Sequence, residues 1–549
     1  MLSVIRFLAW RWTFGAIDYA VTMPLLRWTW QGLSEDAFAG SLPEFRPADA
    51  ETVIDMMQGR YLLASKLVDT QGTSPFSIEV DSEDWLQVLH GFAWLRHFRE
   101  IRDDGSKRFA RTLVLDWIGR EGQFDAETWA PGLTAQRVLN WLRHYPLLTE
   151  GATPEQAASI ARALGTQVQS LRVRARFVTE PHERALVAAA LVGAALCDKE
   201  GRGEIEKYAT RLIQVLDSQI DADGTHLSRS ARIQLALLVE LATIRAALVR
   251  DHADIARELG TRVDAMHGGL DALTLGSGEP AYFHGTGQIA HDLLVSVQAQ
   301  SPERQRAIGS RLFSGYGRLE AGPATVIADA GLVPDLPFAG EAASSPLAFE
   351  FSYGTELIVG NCGPAPAELP DTKPLFRRGI AHTGPTINAE SADDLPEKGA
   401  LSGRLRARAE PIAATLETNE PALTLATAGY EAPFGVVLER RMTLLNEGKT
   451  LVGQDKAVAS GETVSGVVTL RFHLAPGAEV WHGTSENIAR VYLANGTTWT
   501  FLWEGAEMRE EESVRQSAYF GLHRTQQIVL EAQVEAGHEI AWIFTLEED

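Results

Sequence analysis

Hydrophobic residues in the first part of the chain recur at helical spacing. In residues 85–99, Leu86, Leu89, Phe92 and Leu95 lie three or four positions apart, which places them on one face of a helix. Similar patterns, separated by short links containing Gly, Pro or Asp, predict further helices at 134–145, 184–197, 207–220, 233–248, 255–273 and 290–299. Sequential helices joined by short links pack as antiparallel hairpins, which can build a bundle, a solenoid or a toroid. Periodicity alone leaves these three arrangements open.

The pattern changes after about residue 316, where short runs typical of β-strands replace the helical spacing. The segment Leu347–Gly363 predicts a hairpin, because strand-like residues flank a turn at 353–355. Comparable runs follow at 422–428, 434–438, 467–474, 489–492, 499–503, 526–534 and 539–544. Many strands without intervening helices indicate antiparallel sheets packed as a sandwich. We therefore predict an α+β multidomain chain with an arm at 1–44, a helical domain at 45–315 and an antiparallel β-sandwich at 316–549.

The first thirty residues combine aromatic and basic side chains. They contain four tryptophans and carry a local charge of +2, from Arg6, Arg11 and Arg27 against Asp18. These charges interrupt the apolar runs, so we predict neither a membrane span nor a clear signal peptide. Two interpretations stay open: an interfacial helix in peripheral contact with a membrane, or an arm packed against the first domain. A cytoplasmic or inner-membrane-associated location is favoured over a periplasmic one.

Charge and cysteine content exclude several classes of function. The 549 residues include 50 Lys and Arg against 72 Asp and Glu, which gives a formal charge of −22. An acidic surface repels nucleic acid, so we predict no nucleic-acid partner. The two cysteines, Cys197 and Cys362, are too few for a disulfide framework or a cysteine-based zinc site. No cofactor is predicted.

Several short motifs occur in a characteristic order along the chain. They comprise residues 91–98, the QIDADGTHLSRS stretch at 219–230, the hairpin at 347–363 followed by Ala381-His-Thr383, and the strands at 471–476 and 525–530. In these segments the chain resembles the heparinase II/III family of bacterial polysaccharide lyases, over roughly residues 50–545. The resemblance implies an incomplete (α/α) toroid followed by an antiparallel β-sandwich, with a polysaccharide groove between them.

The resemblance also implies a reaction. Lyases of this family cleave uronate polysaccharides by β-elimination, which needs a base for the C5 proton, an acid for the leaving oxygen and a group that neutralises the carboxylate. The residues that match or replace the family's positions are His182 and His226 as candidate bases and Arg229 as carboxylate clamp. Tyr282 and His284 are the nearest replacements by sequence for the family's tyrosine and following histidine, and Tyr282 is the candidate acid.

This sequence departs from the family at key positions. The family's Asn before the first histidine is Pro181, and its usual tyrosine falls on Arg232 or Ile233. Two hypotheses therefore stay open. The first is a lyase acting on a uronic-acid-containing glycan such as a glycosaminoglycan or alginate. The alternative is a catalytically degenerate scaffold that binds an anionic glycan of the envelope or capsule.

Further basic residues are candidates for substrate binding. Guanidinium groups suit carboxylates and sulfates, and the candidates are Arg184, Arg377, Arg378 and His382. Some family members hold a zinc ion in the β domain, but here 343–345 reads Ala-Ser-Ser and Asn361 replaces the acid. One histidine, His382, is not a zinc site, so we predict no metal. The expected partner is an anionic polysaccharide, and the oligomeric state stays open.

Overall fold

The computed structural model describes residues 2–30, 37–101, 103–199, 204–301, 309–331, 333–460, 464–483, 487–518 and 521–548. Residues 31–36 of the predicted arm lie outside this description. Helices fill the first part of the described chain and antiparallel strands fill the second, which confirms the predicted order of the two regions. The closure of the helices into a toroid stays a prediction.

Twelve helices of the described chain precede the main sheets. They are α1 (Leu2–Val21), α2 (Ala50–Met57), α3 (Glu83–Gly91), α4 (Asp104–Glu121), α5 (Pro131–Arg143), α6 (Tyr145–Thr149), α7 (Pro154–Arg174), α8 (Pro181–Cys197), α9 (Ile205–Asp217), α10 (Ala231–Leu248), α11 (Ala253–Ala272) and α12 (His291–Gln298). Between α2 and α3, strands β1 (Arg60–Leu63) and β2 (Lys66–Asp69) form a hairpin. No helix among the described residues is long and apolar enough to cross a membrane.

The predicted helix over 85–99 is wrong in its extent. Helix α3 ends at Gly91, Phe92 adopts a left-handed backbone conformation with φ of 59°, and a 3₁₀ helix follows at Ala93–Arg99. The reason is tertiary. The Phe92 ring packs edge-on against Trp117 and Trp141, with ring centroids 5.8 and 5.4 Å away, and this buried aromatic cluster compensates for the strained backbone.

Three antiparallel sheets make up the second region. A five-stranded sheet runs in chain order through β3 (Arg311–Phe313), β4 (Tyr316–Ala321), β5 (Ala324–Asp329), β6 (Phe349–Tyr353) and β7 (Glu356–Val359). A four-stranded sheet has the order β17-β18-β13-β8, and an eight-stranded sheet has the order β14-β15-β16-β19-β12-β11-β10-β9. Their bounds are β8 (Thr386–Ile387), β9 (Thr415–Glu417), β10 (Ala422–Thr427), β11 (Val436–Leu445), β12 (Thr450–Ala459), β13 (Val467–His473), β14 (Glu479–His482), β15 (Ile488–Tyr492), β16 (Thr498–Glu504), β17 (Glu507–Ser517), β18 (Gly521–Gln533) and β19 (Glu539–Leu546). Two short helices, α13 (Lys373–Phe376) and α14 (Glu431–Phe434), interrupt these strands.

Alternating burial explains why most of these strands were visible in the sequence. In β11, every second residue is buried, and the aromatic rings of Phe349, Phe472 and Trp542 meet in the core between sheets. Strand β17 was not predicted, because its sequence EMREEESVRQS has five charged residues in its first six positions and no alternation. It forms because it pairs with β18 along its full length.

The chain divides into two compact units that differ from a simple cut at residue 315. The first unit contains Met1–Ile220, Leu235–His267 and Asp292–Arg304. The second contains Asp221–Gln234, Gly268–His291 and Gln305–Asp549. Two segments that the sequence placed with the helices, 221–234 and 268–291, are therefore grouped with the strands. These segments carry four of the five predicted catalytic residues.

Candidate functional site

The first unit contains two of the predicted site residues. Pro181 opens helix α8, as a proline at a first helical position should, and His182 follows it with a partly exposed side chain. Arg184 lies in the next turn, where Nε and Nη2 both donate hydrogen bonds to the carbonyl oxygen of Val178, at 3.2 and 3.0 Å. Its guanidinium also lies over the Trp10 ring. This geometry gives Arg184 a packing role, and its role in substrate binding stays a prediction.

The second unit brings Arg229 and His284 together around a buried carboxylate, Asp329. Asp329 ends strand β5 and is the register partner of Tyr316 on β4. The Arg229 Nη2 donates to Asp329 Oδ1 at 2.8 Å, and the His284 Nε2 lies 3.5 Å from Asp329 Oδ2. The Ser345 hydroxyl also donates to Oδ2, at 2.6 Å. We call these five residues, Arg229, His284, Tyr316, Asp329 and Ser345, the Asp329 cluster.

Arg229 is fully engaged within this cluster. Its guanidinium donates to the carbonyl oxygens of Ser314 and Gly315 as well as to Asp329, and it stacks 4.2 Å from the centre of the Tyr316 ring. The Tyr316 hydroxyl in turn donates to the backbone carbonyl of Arg229 at 2.6 Å. Although burial alone would raise the pKa of Asp329, the charge of Arg229 and the hydrogen bonds from Ser345 and Arg229 lower it, so the carboxylate stays ionised. Arg229 therefore neutralises an internal acid, Asp329, rather than a substrate carboxylate in an open subsite.

The backbone at two of the predicted site residues is strained. Arg229 has a φ of 59° and His284 a φ of 46°, in the left-handed region that side chains with a Cβ rarely occupy. Such residues persist only where the surroundings hold them, and here the hydrogen bonds of the Asp329 cluster do so. The sequence around these residues does not predict this conformation, because neither position is Gly, Asn or Asp.

His284 is a neutral imidazole with a defined tautomer. Its Nδ1 accepts the Ala343 N–H at 3.2 Å, so the ring proton lies on Nε2, which faces Asp329. Burial, reinforced by the nearby Arg229, lowers the pKa of His284 to about 3. The one basic nitrogen is thus occupied by a backbone donor. This arrangement does not leave His284 free to take a proton from a substrate.

His226 lies in the turn that precedes helix α10. Its Nδ1 is 2.7 Å from the Ser228 hydroxyl and accepts the Ser228 N–H at 3.1 Å, while the backbone N–H of His226 donates to the side-chain oxygen of Gln234. The ring packs edge-on against Phe338 and is buried. These contacts hold His226 just before helix α10, with the imidazole facing inward.

Tyr282 belongs to a second buried cluster. The Arg515 guanidinium lies 3.7 Å from the centre of the Tyr282 ring and donates to Glu350 and to the carbonyl oxygen of Asn361. The Tyr282 hydroxyl donates to Glu279 at 3.3 Å. Burial raises the pKa of Tyr282, so its phenol keeps its proton at any working pH. A protonated phenol suits the acid of an elimination, but this hydroxyl is directed at a carboxylate.

The neighbouring arginines 377 and 378 have different environments. Arg377 donates to three backbone carbonyls, those of Ala342, Gly403 and Ala339, and thereby ties three loop positions together. Arg378 is exposed and pairs with Glu397 at 2.7 Å. The geometry leaves Arg378 as the more accessible of the two predicted substrate ligands.

His382 and Asn361 occupy the region where the family resemblance raised the question of zinc. The His382 Nδ1 donates to the carbonyl oxygen of Arg378, and Asn361 bridges the Thr383 N–H and the Tyr282 carbonyl. Both side chains are buried and hold loops together. In the part of the chain that the structure describes, no group of three or more His, Cys, Asp or Glu side chains is placed to hold a metal ion.

A cavity of about 320 Å³ lies elsewhere in the second unit, beside Cys362 and His473. The His473 Nδ1 is 2.7 Å from the Ser513 hydroxyl and 3.6 Å from the Cys362 sulfur. This trio has the composition of a nucleophile with a base. However, burial raises the pKa of the Cys362 thiol to about 11 and lowers that of His473 to about 3. The thiol stays protonated, which argues against nucleophilic chemistry here.

Sequence reasoning missed the residues that organise both clusters. Asp329, Tyr316, Glu350 and Arg515 lie in strands, where they looked like ordinary strand residues. One signal was available: Asp329 and Glu350 are the acids in the otherwise uncharged runs ATVIADA and LAFEFSY. A lone charge in a buried strand requires a partner, and that requirement could have marked both positions.

Comparison with protein families identifies the second region. Residues 305–543 match the family described as Heparinase II/III-like, C-terminal. The match covers three sheets and the loops between them, including Asp329, His382 and Arg515. It does not extend to His182, His226 or His284.

Solved structures share the architecture over nearly the whole chain. A crystal structure of heparinase III superposes with a TM-score of 0.70 at 13% identity, covering 98% of this chain and 91% of that one. A mutant of the heparan sulfate lyase HepC from Pedobacter heparinus superposes with a TM-score of 0.59 at 14% identity, covering 92% and 85%. At these identities the likeness establishes the fold alone.

One curated protein is also similar in sequence. It is FtsZ-localized protein C from Caulobacter vibrioides, which is 28% identical over 328 residues. The aligned part covers 58% of this chain and 56% of that protein, so the match spans little more than half of either length.

Proposed function

We propose that this chain, a heparinase II/III family protein, is a lyase-like scaffold that binds an anionic, uronic-acid-containing polysaccharide without cleaving it. The fold and the family support a polysaccharide lyase-like protein, and the family supports an anionic polysaccharide as its partner.

The observation that carries this proposal is the state of the Asp329 cluster. A lyase needs a cation that meets the substrate carboxylate and a base with a free nitrogen. Arg229 pairs with Asp329 instead, and the basic nitrogen of His284 accepts a backbone N–H. Tyr282 is held between Arg515 and Glu279. Each of these three groups is thus engaged by a partner inside the protein: Arg229 by Asp329, His284 by the Ala343 N–H, and Tyr282 by Glu279 and Arg515.

Polyanion binding by a chain with a formal charge of −22 requires a local basic surface. The exposed guanidinium of Arg378 is one candidate contact, because it pairs with an exposed glutamate, Glu397. Surface ion pairs of this kind contribute little and can exchange for a carboxylate or sulfate of a ligand. Binding should therefore weaken as salt is added.

The test is an incubation of the full chain with a panel of uronate polysaccharides, including heparan sulfate and alginate. Elimination creates a C4–C5 double bond that absorbs in the ultraviolet, so turnover and binding are measured separately. The proposal expects binding of at least one polymer, measured calorimetrically, and no unsaturated product from any. Unsaturated product from the wild-type chain contradicts the proposal.

Lyase activity is the second candidate, and His182 is the observation that favours it. Its side chain is partly exposed at the start of α8, whereas His226 and His284 are buried. If product forms, His182→Ala should reduce turnover by about a hundredfold or more, the scale of losing a general base. His252, which is also partly exposed and precedes helix α11, supplies the matched control, and His252→Ala should retain the wild-type rate.

The similar protein from Caulobacter vibrioides is named for its localisation with FtsZ. Localisation with FtsZ is compatible with a scaffold that does not cleave its ligand. We therefore propose that this chain also localises with FtsZ. A fluorescent fusion of the full chain, imaged together with FtsZ, tests it. Uniform distribution of the fusion in dividing cells contradicts this location.

A further inference from the structure

Helix α1 packs against the rest of the first unit through one side only. The Phe14 ring contacts Phe177 at a centroid distance of 6.0 Å, and Asp18 accepts two hydrogen bonds of 2.8 Å from the buried Arg174. The Arg184 guanidinium lies 5.5 Å from the centre of the Trp10 ring. Phe7 is buried on the same side. These positions recur every three or four residues, as one face of a helix must.

The opposite side of α1 is also apolar, but it is exposed. Its positions follow the same spacing of four, three, four, three and four residues and continue just past the helix end. They are Ile5, Ala9, Trp12, Ala16, Tyr19 and Met23, which we call the outer face of α1. Trp12 is 77% exposed and Tyr19 69% exposed. A helix that is apolar on all sides normally lies in a core, so an uncovered second face indicates a contact that the isolated chain does not make.

Exposed apolar residues continue beyond the helix. Leu25, Leu26 and Trp28 are exposed as well, and Leu25 is 86% exposed. Of the 21 large hydrophobic side chains that are exposed in the described chain, eight lie between residues 5 and 28. Single exposed hydrophobic residues need no explanation, but such a concentration marks an interaction surface.

The charges beside the outer face are positive. Asp18 is the only acid in residues 2–30, and its carboxylate is neutralised by Arg174 on the packed side. Arg6 is exposed. Arg11, seven residues before Asp18, lies on the packed side 3.9 Å from Glu180 and keeps about two fifths of its side chain accessible. The exposed charge next to the outer face is therefore positive, opposite in sign to a chain with a formal charge of −22.

We propose that the outer face of α1 is a binding surface for an anionic lipid bilayer, on which the helix lies parallel to the membrane plane. Tryptophan and tyrosine side chains are favourable at the level of lipid headgroups, where one edge is apolar and the other hydrated. The exposed Arg6 near them attracts anionic headgroups. The aromatic and basic composition favours a bilayer over an apolar protein partner. The proposal is independent of the glycan function.

The test is cosedimentation of the full chain with vesicles of phosphatidylcholine alone and of phosphatidylcholine mixed with phosphatidylglycerol. The wild-type chain should bind the mixed vesicles, and added salt should weaken this binding without abolishing it. The double substitution Trp12→Glu with Tyr19→Glu should lower the partition coefficient at least about tenfold, because both rings lose their apolar contact and two negative charges are added.

Trp481→Glu is the matched control. Trp481 is 59% exposed in the second unit, so it tests the loss of an exposed tryptophan without altering α1. It should bind vesicles as the wild-type chain does, and circular dichroism should show that all variants are folded. Equal vesicle binding by the double variant and the wild type overturns the proposal. A wild-type chain that binds neither kind of vesicle also overturns the proposal. In that case the outer face could mediate self-association instead, which a dimer of the wild-type chain that is lost in the double variant would show.

Discussion

The Asp329 cluster and the outer face of α1 are opposite exceptions to the usual distribution of side chains. The cluster buries an arginine, a carboxylate and a histidine inside the second unit. The outer face leaves tryptophan, tyrosine and isoleucine in solvent on the first. Polar groups are ordinarily exposed and large apolar ones buried, so each region requires an explanation.

The two regions differ in whether their groups find partners within the chain. In the Asp329 cluster, Arg229 and Ser345 donate to the carboxylate, and Tyr316 donates back to Arg229. On the outer face, the apolar surface of Trp12 and Tyr19 is left without cover among the described residues. The difference teaches that buried charges with partners inside the chain support its internal structure, whereas an uncovered apolar face is where an external partner can be sought.

The largest effect should come from removing the carboxylate of the cluster. Asp329→Ala leaves the buried Arg229 guanidinium without its counter-charge, which should lower the free energy of unfolding by about 3–5 kcal/mol. Asp394→Ala is the control, since Asp394 forms a half-exposed pair with Arg408 and should cost less than about 1 kcal/mol. Urea denaturation measures both. Similar losses in the two variants would mean that the cluster is not the internal support described here.

Substitutions of the adjacent Arg377 and Arg378 should have smaller effects on the free energy of unfolding, and the two effects should differ. Arg377→Met leaves the carbonyls of Ala342, Gly403 and Ala339 without their donors and should cost about 1–3 kcal/mol in the free energy of unfolding. Arg378→Met removes one exposed ion pair and should cost less than about 1 kcal/mol. If Arg378 contacts the glycan, its variant should instead weaken polysaccharide binding. Unchanged binding would remove Arg378 from the candidate ligands.

The pH dependence of stability should report on His284. Its pKa is about 3 in the folded chain, below the ordinary 6.5, so the unfolded chain binds a proton that the folded chain does not. Stability is therefore full above about pH 6.5 and falls as the pH drops toward 3, by up to about 1.4 kcal/mol per pH unit. Urea denaturation at pH 7 and pH 5 should show a shallower dependence in His284→Gln. An identical dependence would place the proton uptake elsewhere, for example at His473.

The smallest effect is expected on the outer face of α1. Trp12→Ser should change the free energy of unfolding by no more than about 0.5 kcal/mol in the absence of lipid, because the indole contacts mainly water. Phe14→Ser, on the packed side against Phe177, should cost more. A loss at Trp12 equal to that at Phe14 would show that the outer face is covered within the protein and would remove the basis for a docking surface there.

Much of the fold could be predicted, because it depends on local patterns. Helix α8 was visible from its apolar run and its opening proline, and strand β6 from its flanking turn. The break at Phe92 and the strand β17 could not be predicted, since both are imposed by contacts distant in sequence: an aromatic cluster in one case and pairing with β18 in the other.

The candidate site was less predictable than the fold. The sequence singled out Arg229 and His284 as separate candidates, and only the structure shows that both lie against Asp329. It could not identify Asp329, which turns the predicted carboxylate clamp into an internal ion pair. Nor could it identify Arg515, which encloses Tyr282. The roles of all the predicted site residues in binding or catalysis stay predictions.

The sequence alone determined the order of helices and strands, the acidic charge and the aromatic, basic character of the first thirty residues, because each follows from composition or from a period of two or 3.6 residues. Tertiary structure decided which charges neutralise each other and which apolar face is covered. Arg229 and Asp329 are 100 residues apart, and Trp12 differs from Trp10 only in the side of α1 on which it lies. The energy of a buried charge depends on the partner within a few ångströms, and that of an apolar side chain on the surface removed from water. Both quantities exist only once distant segments have packed.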